Sequence, residues 1–340
     1  MKKDPAEILS LDSIRIGYAE GRNQRVLLTP INATVRKGEM IAVIGKNGIG
    51  KSTLLRTLAG LQPSLGGDIA YNGKSRREYS RTDLARTIGY ISTEIVKVSN
   101  MRVYDLVALG RFPYTNWFGK IDTHNHDIIT DSIEKTGMSS LSWRFISELS
   151  DGERQKAMIA RILAQDTGIL VMDEPTAFLD IGSKFEILHL MHLLSQKNGK
   201  TIIFSTHDLN VAMSQADKIW LIVDNSMVEG APEDLMLQGA FDHLFDSSAY
   251  HYNSEYGTYS FKTENRGEIT VSGEGIMLHY TKKALNRAGF SVSEGEGKPF
   301  LKLPSASCRN WQLIDINSIN EFGTLYEIVS WLSRNNPGSI

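Results

Sequence analysis

The stretch Gly45–Thr53 (GKNGIGKST) constrains this chain more than any other part of it. Gly45, Gly48 and Gly50 are spaced by Lys46, Asn47 and Ile49, and Lys51, Ser52 and Thr53 follow at once. The pattern is G-x-x-x-x-G-K-[ST], in which glycines let the backbone turn so that successive N–H groups point at phosphate oxygens. Val35–Ile44 precedes it, reads as a strand and ends abruptly in the loop. A run of helical spacing, Lys51–Leu61, follows and stops at Gly60, with Pro63 just beyond. Strand, glycine loop and helix in that order form a phosphate-binding βα unit. The helix N-terminus adds partial positive charge, Lys51 can reach a nucleotide's β- and γ-phosphates, and the Ser52 hydroxyl suits Mg²⁺. An ordinary glycine turn would need neither the lysine nor the serine.

The rest of the first 245 residues reads as α/β. Ile8–Tyr18, Gly66–Tyr71 and Thr87–Ile91 are strand candidates, and Val103 to about Leu141 is mostly helical. Gly168–Met172, Lys200–Ser205 and Lys218–Val223 are near-continuous apolar runs, as expected of strands covered by helices on both faces. Ser183–Ser195 is a helix between two of them. Tyr250–Tyr259 lacks clear periodicity and reads as a linker or domain entry. Beyond it, strands at Glu268–Ser272 and Phe300–Leu303 and helices at Gly275–Ala288 and Thr324–Leu332 suggest a small α+β domain over residues 255–340. The net charge of −2 gives no electrostatic case for a nucleic-acid partner, and a single cysteine, Cys308, allows no intrachain disulfide. The N-terminus does not read as a signal peptide, and no apolar stretch is long enough for a membrane span.

Two further segments carry chemistry. Ile169–Pro175 (ILVMDEP) is an apolar strand ending in two acids. Asp173 suits a hydrated Mg²⁺, and Glu174 suits a general base that polarises water attacking the γ-phosphate. Leu149–Gln155 (LSDGERQ) opens a helix, and that N-terminus is a second anion site in the same chain. One chain cannot easily aim both this site and its glycine loop at one nucleotide, whereas two copies packed head to tail can.

With these motifs in this order, the chain resembles the ATP-binding subunits of ABC transporters over roughly residues 8–245. The resemblance implies a P-loop NTPase fold with a helical insertion near residues 100–165, ATP and Mg²⁺ as ligands, and ATPase activity. It assigns the Walker A loop to Gly45–Thr53, Walker B to Asp173 and Glu174, and the signature to Ser150, Asp151, Gly152 and Glu153, facing the other subunit's γ-phosphate. Leu179 and Asp180 fall in the D-loop, His207 becomes the switch histidine, and Tyr18 the aromatic that stacks on adenine. The implied partners are a second copy, an integral membrane permease on the cytoplasmic face of the inner membrane, and indirectly a substrate-binding protein.

This sequence departs from the family pattern twice. Asp151 and Glu153 stand where glycine and often glutamine occur, while Ser150 and Gly152 remain. Where a glutamine is expected after Thr87–Ile91 the chain has Thr93, followed by Glu94, which could offer an oxygen to Mg²⁺. Val107–Tyr114 (VALGRFPY) and Trp117 resemble importers of iron–siderophore, haem or vitamin B12, in which this region grips the permease; the plainer reading is that Leu109, Phe112 and Trp117 pack the insertion's own core. His124 and His126 lack a third spaced ligand. The alternative, a soluble ABC-type ATPase working on nucleic acid or the ribosome, would need a long heptad-rich insertion or two ATP sites. Neither is in the sequence. The C-terminal segment has equal numbers of acidic and basic residues from residue 251 on and no catalytic constellation, so a regulatory role there rests on analogy.

Overall fold

The computed structural model describes residues 7–20, 23–93, 100–115, 121–242, 244, 250–253, 258–261, 265–295, 297, 299–305, 309–315 and 318–335. Two compact units divide the chain, Met1–Leu244 and Phe245–Ile340.

In the first unit β1 (Glu7–Glu20) and β2 (Asn23–Arg36) lead to β3 (Met40–Gly45) and α1 (Lys51–Leu58). Next come β4 (Gly66–Tyr71), β5 (Lys74–Ser75), α2 (Arg81–Ala85) and β6 (Ile88–Ile91). A helical segment follows: α3 (Val103–Ala108), a 3₁₀ turn at Leu109–Tyr114, α4 (Thr123–Lys135) and α5 (Asp151–Ala164). The unit continues through β7 (Ile169–Met172), α6 (Ile181–Gln196), β8 (Thr201–Ser205), α7 (Leu209–Gln215), β9 (Lys218–Val223), β10 (Ser226–Gly230) and α8 (Pro232–Leu237).

The strands form two sheets. One is antiparallel, in the order β2-β1-β4-β5; the other runs β10-β9-β3-β8-β7-β6 and is parallel apart from the β9–β10 hairpin. Burial separates them. Every residue of β3, β7 and β8 is buried, as in strands covered on both faces, whereas the later half of β2 alternates buried Leu28, Ile31, Ala33 and Val35 with exposed neighbours. Leu28, Ile41, Val43, Leu54, Leu55, Val171, Ile203 and Trp220 share one core, so the sheets and α1 are held together by apolar burial.

The strand expected over Val35–Ile44 is two. Val35 ends β2 in one sheet, Gly38 turns the chain with φ of 82°, and β3 starts at Met40 in the other. α1 ends at Leu58, short of the expected Leu61, and Gly60 takes the left-handed conformation just past it. In the helical segment Arg111 is the internal bolt. It is buried, donates to Asn125 Oδ1 of α4 and to the Ala164 carbonyl closing α5, both at 2.7 Å, and lies over the Tyr114 ring. Leu109 and Phe112 do not pack the interior: they are 50% and 77% exposed. Trp117 lies outside the described residues.

The second unit contains a hairpin, β11 (Tyr250–Asn253) with β12 (Thr258–Phe261), where the sequence suggests a linker. Aromatic and polar residues alternate along both strands, and Tyr250 and Tyr252 stand in register opposite Phe261 and Tyr259. β13 (Glu268–Ser272), α9 (Gly275–Arg287), β14 (Ser291–Glu294), β15 (Phe300–Lys302), β16 (Trp311–Ile314), β17 (Ile319–Phe322) and α10 (Leu325–Asn335) complete it. The sheet order is β14-β13-β15-β16-β17, with β13, β14 and β15 parallel. Ile269, Val271, Leu285, Leu301, Leu313, Ile328 and Leu332 make a core of its own.

Gly110 tests the packing that fixes α5. A Cβ there would stand 2.2 Å from the Arg161 carbonyl oxygen, whereas one at Gly168 would meet nothing nearer than 3.4 Å. Gly110→Ala should cost about 1–3 kcal/mol in thermal or urea unfolding, as overpacking does. Gly168→Ala should change stability by less than about 0.5 kcal/mol in the same assay.

Candidate functional site

The glycine loop turns because two of its residues adopt backbone angles that side chains resist: φ is 77° at Gly48 and 119° at Gly50. A Cβ at Gly48 would meet nothing within 4 Å, so Gly48 borders open space. Lys51 begins α1 but folds back, its Nζ donating to the carbonyls of Gly45 at 2.8 Å and Lys46 at 3.2 Å. Burial lowers the Lys51 pKa, and the nearby Glu174 and Asp173 carboxylates oppose that shift. A buried ammonium, a helix N-terminus and a tight glycine turn fit a polyphosphate. Tyr18, at the end of β1, is 47% exposed and its hydroxyl lies 2.9 Å from Thr53 Oγ1, so the ring stands beside the loop. Ser52 is exposed.

Asp173 and Glu174 leave β7 next to β8, which itself lies beside β3. Asp173 is buried. Its Oδ1 accepts a 2.6 Å hydrogen bond from Ser205 Oγ, and its Oδ2 lies 3.5 Å from the Tyr90 hydroxyl. A buried carboxylate with one oxygen so loosely engaged is a donor suited to a hydrated divalent cation. Glu174 adopts the left-handed conformation, φ 46°. Its Oε2 lies 3.5 Å from His207 Nδ1, and the His207 side chain is 64% exposed.

Ser150 caps α5, accepting from the Glu153 N–H at 3.2 Å while Glu153 Oε2 accepts from the Ser150 N–H at 2.8 Å. That bond holds the Glu153 carboxyl below its usual range. Asp151 pairs with Arg154 at 2.7 Å. Gly152 is buried, and a Cβ there would stand 2.6 Å from Ser183 Oγ, so only glycine lets α5 approach α6 this closely. Asp180 caps α6 through Ser183, whose hydroxyl bonds to it at 2.7 Å and lowers its pKa. Thr93, Asp151, Arg154, Glu174 and Phe178 line one cleft, which places Thr93 on the same groove as Glu174. Glu94 lies outside the described residues.

The ABC transporter family model matches residues 28–177, and the iron ABC transporter C-terminal domain model matches residues 266–333. An ABC transporter ATP-binding protein of Methanocaldococcus jannaschii is 35% identical over 81% of this chain and 96% of its own length. This chain belongs to the ATP-binding proteins of ABC transporters. It is an ATPase of that family. The iron(3+)-hydroxamate import ATP-binding protein of Bacillus subtilis is 34% identical over 71% of the ABC ATPase chain and 88% of its own length. For the ferric enterobactin transport ATP-binding protein of Escherichia coli the figures are 32%, 63% and 80%. Among solved structures, a metal-chelate type ABC transporter in an inward-facing conformation aligns with a TM-score of 0.62 and 27% identity, over 70% of this chain and 89% of its own.

Three features of the ABC ATPase site escaped the sequence reading: Tyr90, the Ser205 hydroxyl, and an ion pair between Lys184 on α6 and Asp208, the residue after His207. Asp208 also caps α7, accepting from the Val211 N–H at 3.2 Å. Burial opposes its ionisation, but Lys184 and the backbone N–H groups outweigh burial and lower its pKa. A depressed carboxylate pKa stabilises the fold fully above the unfolded value of about 3.9, and that contribution fades as pH falls through the folded value. Asp208→Asn should therefore cost about 1–2 kcal/mol at pH 7, and the gap to wild type in thermal melts should shrink below about pH 4.

Proposed function

We propose that this ABC ATPase energises the import of an iron–siderophore, haem or cobalamin-type metal chelate, the siderophore class favoured, through a membrane permease at the cytoplasmic face of the inner membrane. The observation that carries the reading is the pairing, in one chain, of a cassette related to iron-hydroxamate and enterobactin ATP-binding proteins with a segment matching the iron ABC transporter C-terminal domain. Exposed Leu109 and Phe112 on the helical segment support a permease-facing groove there. Among the described residues no helix is long and apolar enough to cross a membrane.

In this reading the functional ATPase is a head-to-tail dimer. Gly45, Lys46, Asn47, Gly48, Ile49, Gly50, Lys51, Ser52 and Thr53 hold the phosphates, and Tyr18 stacks on adenine. Ser150, Asp151, Gly152, Glu153 and Asp180 come from the opposite copy. Phe178, Ile181 and Phe185, which are 85%, 77% and 63% exposed beside Asp180, support a covered face there. Ser52, Asp173 and Glu94 would hold Mg²⁺, which supplies charge neutralisation for the β- and γ-phosphates. Glu174 accepts a proton from the attacking water, and His207, beside its carboxylate, holds the γ-phosphate. Loss of that shared anion lets the dimer reopen and reset the permease. The division into an ATP-binding domain over 1–245 and an accessory domain over 255–340 belongs to the same proposal, the second domain tuning turnover or dimerisation.

Glu174→Gln should keep ATP affinity within about threefold while turnover falls at least about 100-fold, the usual scale for removing a general base. Expressed in place of the wild type, it should abolish uptake of radio-iron supplied as a ferric siderophore. Co-purification of the wild type with a polytopic membrane protein separates this reading from a soluble ATPase acting on nucleic acid or the ribosome, which would bring down no permease.

A further inference from the structure

Glu174 poses a backbone problem. A non-glycine residue at φ 46° occupies a sparsely populated region and persists only where its surroundings hold it. The chain on either side is tied down. The Asp173 N–H donates to the Ile91 carbonyl at 2.9 Å, and the Glu174 carbonyl accepts from the Ala177 N–H at 3.0 Å. The remaining backbone group, the Glu174 N–H, turns away from the sheet ladder and donates to Ser205 Oγ at 2.8 Å.

Because the amide can only donate, the Ser205 oxygen must accept there, and its single proton goes to Asp173 Oδ1 at 2.6 Å. One hydroxyl thus joins the backbone that aims Glu174 to the carboxylate that precedes it. Ser205 is suited to the task because it is itself immobile. It is 0% exposed, ends β8, stands opposite Val43 of β3 in register, and is followed by Thr206, whose N–H donates to the Val43 carbonyl at 3.2 Å. His207 lies two residues further on, so the strand that pins Glu174 also brings the imidazole Nδ1 to 3.5 Å from its carboxylate.

We propose that Ser205 is a positioning residue for hydrolysis, fixing Glu174 in its strained conformation and turning Asp173 so that Oδ1 is occupied and Oδ2 is left for the cation's water shell. The inference rests on the reading of Glu174 as the general base. Ser205→Ala orphans a part-buried amide and a buried carboxylate oxygen without touching the glycine loop. Misplacing a reacting group by about 1 Å costs on the order of 100-fold in rate, so kcat should fall about 10- to 100-fold.

The test is steady-state ATPase kinetics on the full chain with Ser205→Ala, Ser205→Thr and Glu174→Gln, together with a Mg²⁺ titration. The expected result is a low kcat for Ser205→Ala with KM for ATP within about threefold of wild type and a raised Mg²⁺ half-saturation, because binding groups stay in place while the chemistry loses alignment. Ser205→Thr, which keeps the hydroxyl, should recover most of the lost kcat. Wild-type kcat in Ser205→Ala, loss of ATP binding in step with turnover, or a threonine variant no better than alanine would each overturn the proposal. A Glu174→Gln variant that hydrolyses ATP at the wild-type rate would instead remove the base assignment itself. An inactive Glu174→Gln beside an unimpaired Ser205→Ala removes only the role given to Ser205.

Discussion

The register of three adjacent parallel strands is the constraint on which the site depends. β3, β8 and β7 lie side by side, Val43 pairing with Ser205 and Met172 with Phe204. Parallel strands in register end at the same edge. The glycine loop, the Asp173–Glu174 pair and His207 are therefore delivered to one place by backbone hydrogen bonding, as ligand sites at the carboxyl ends of open α/β sheets are. A slip of one residue in any of the three would turn side chains to the opposite face. Complete burial of these strands, with covered faces on both sides, makes such a slip costly.

Around that edge the polar groups central to the site are tied to partners. Lys51 is held by loop carbonyls, Asp173 by Ser205, Glu174 by Ser205 and His207, and Asp208 by Lys184. Buried polar groups tied in this way are rigid, and rigidity is what lets a carboxylate meet water and phosphate without reorganising. The segment Ser150–Glu153 at the head of α5, proposed as the second anion site, is placed by a buried arginine and by close helix packing. Arg111 bolts α5 to the helical segment, and Gly152 allows it to lie against Ser183 of α6.

What the sequence made legible follows from chemistry that is local along the chain. A glycine loop between strand and helix, two acids after an apolar run, and a capping serine before a helix each announce themselves within a few residues. The runs that became β7, β8 and β9 were legible because strands covered on both faces are apolar throughout. Strands whose identity comes from their neighbours were not. The β2–β3 break is marked in the sequence by Arg36-Lys37-Gly38-Glu39 between two apolar stretches, whereas β14, β16 and β17 are four residues each, too short to show a period, and take their identity from pairing with β13, with β15 and with each other. The same limit hid Ser205 and the Lys184–Asp208 pair. A serine at a strand end and a lysine on a helix are common, and only the fold shows what they touch.

In the proposed head-to-tail dimer, binding of ATP and dimerisation are one event, because each nucleotide would need the glycine loop of one copy and Ser150–Gly152 of the other. Sedimentation of Glu174→Gln, with and without ATP and Mg²⁺, tests this most directly when run beside the same variant carrying Ser150→Phe. The prediction is a dimer only with ATP for the first protein, and a monomer that still binds ATP for the second. A dimer that forms without nucleotide, or one that survives Ser150→Phe undiminished, would contradict the shared site.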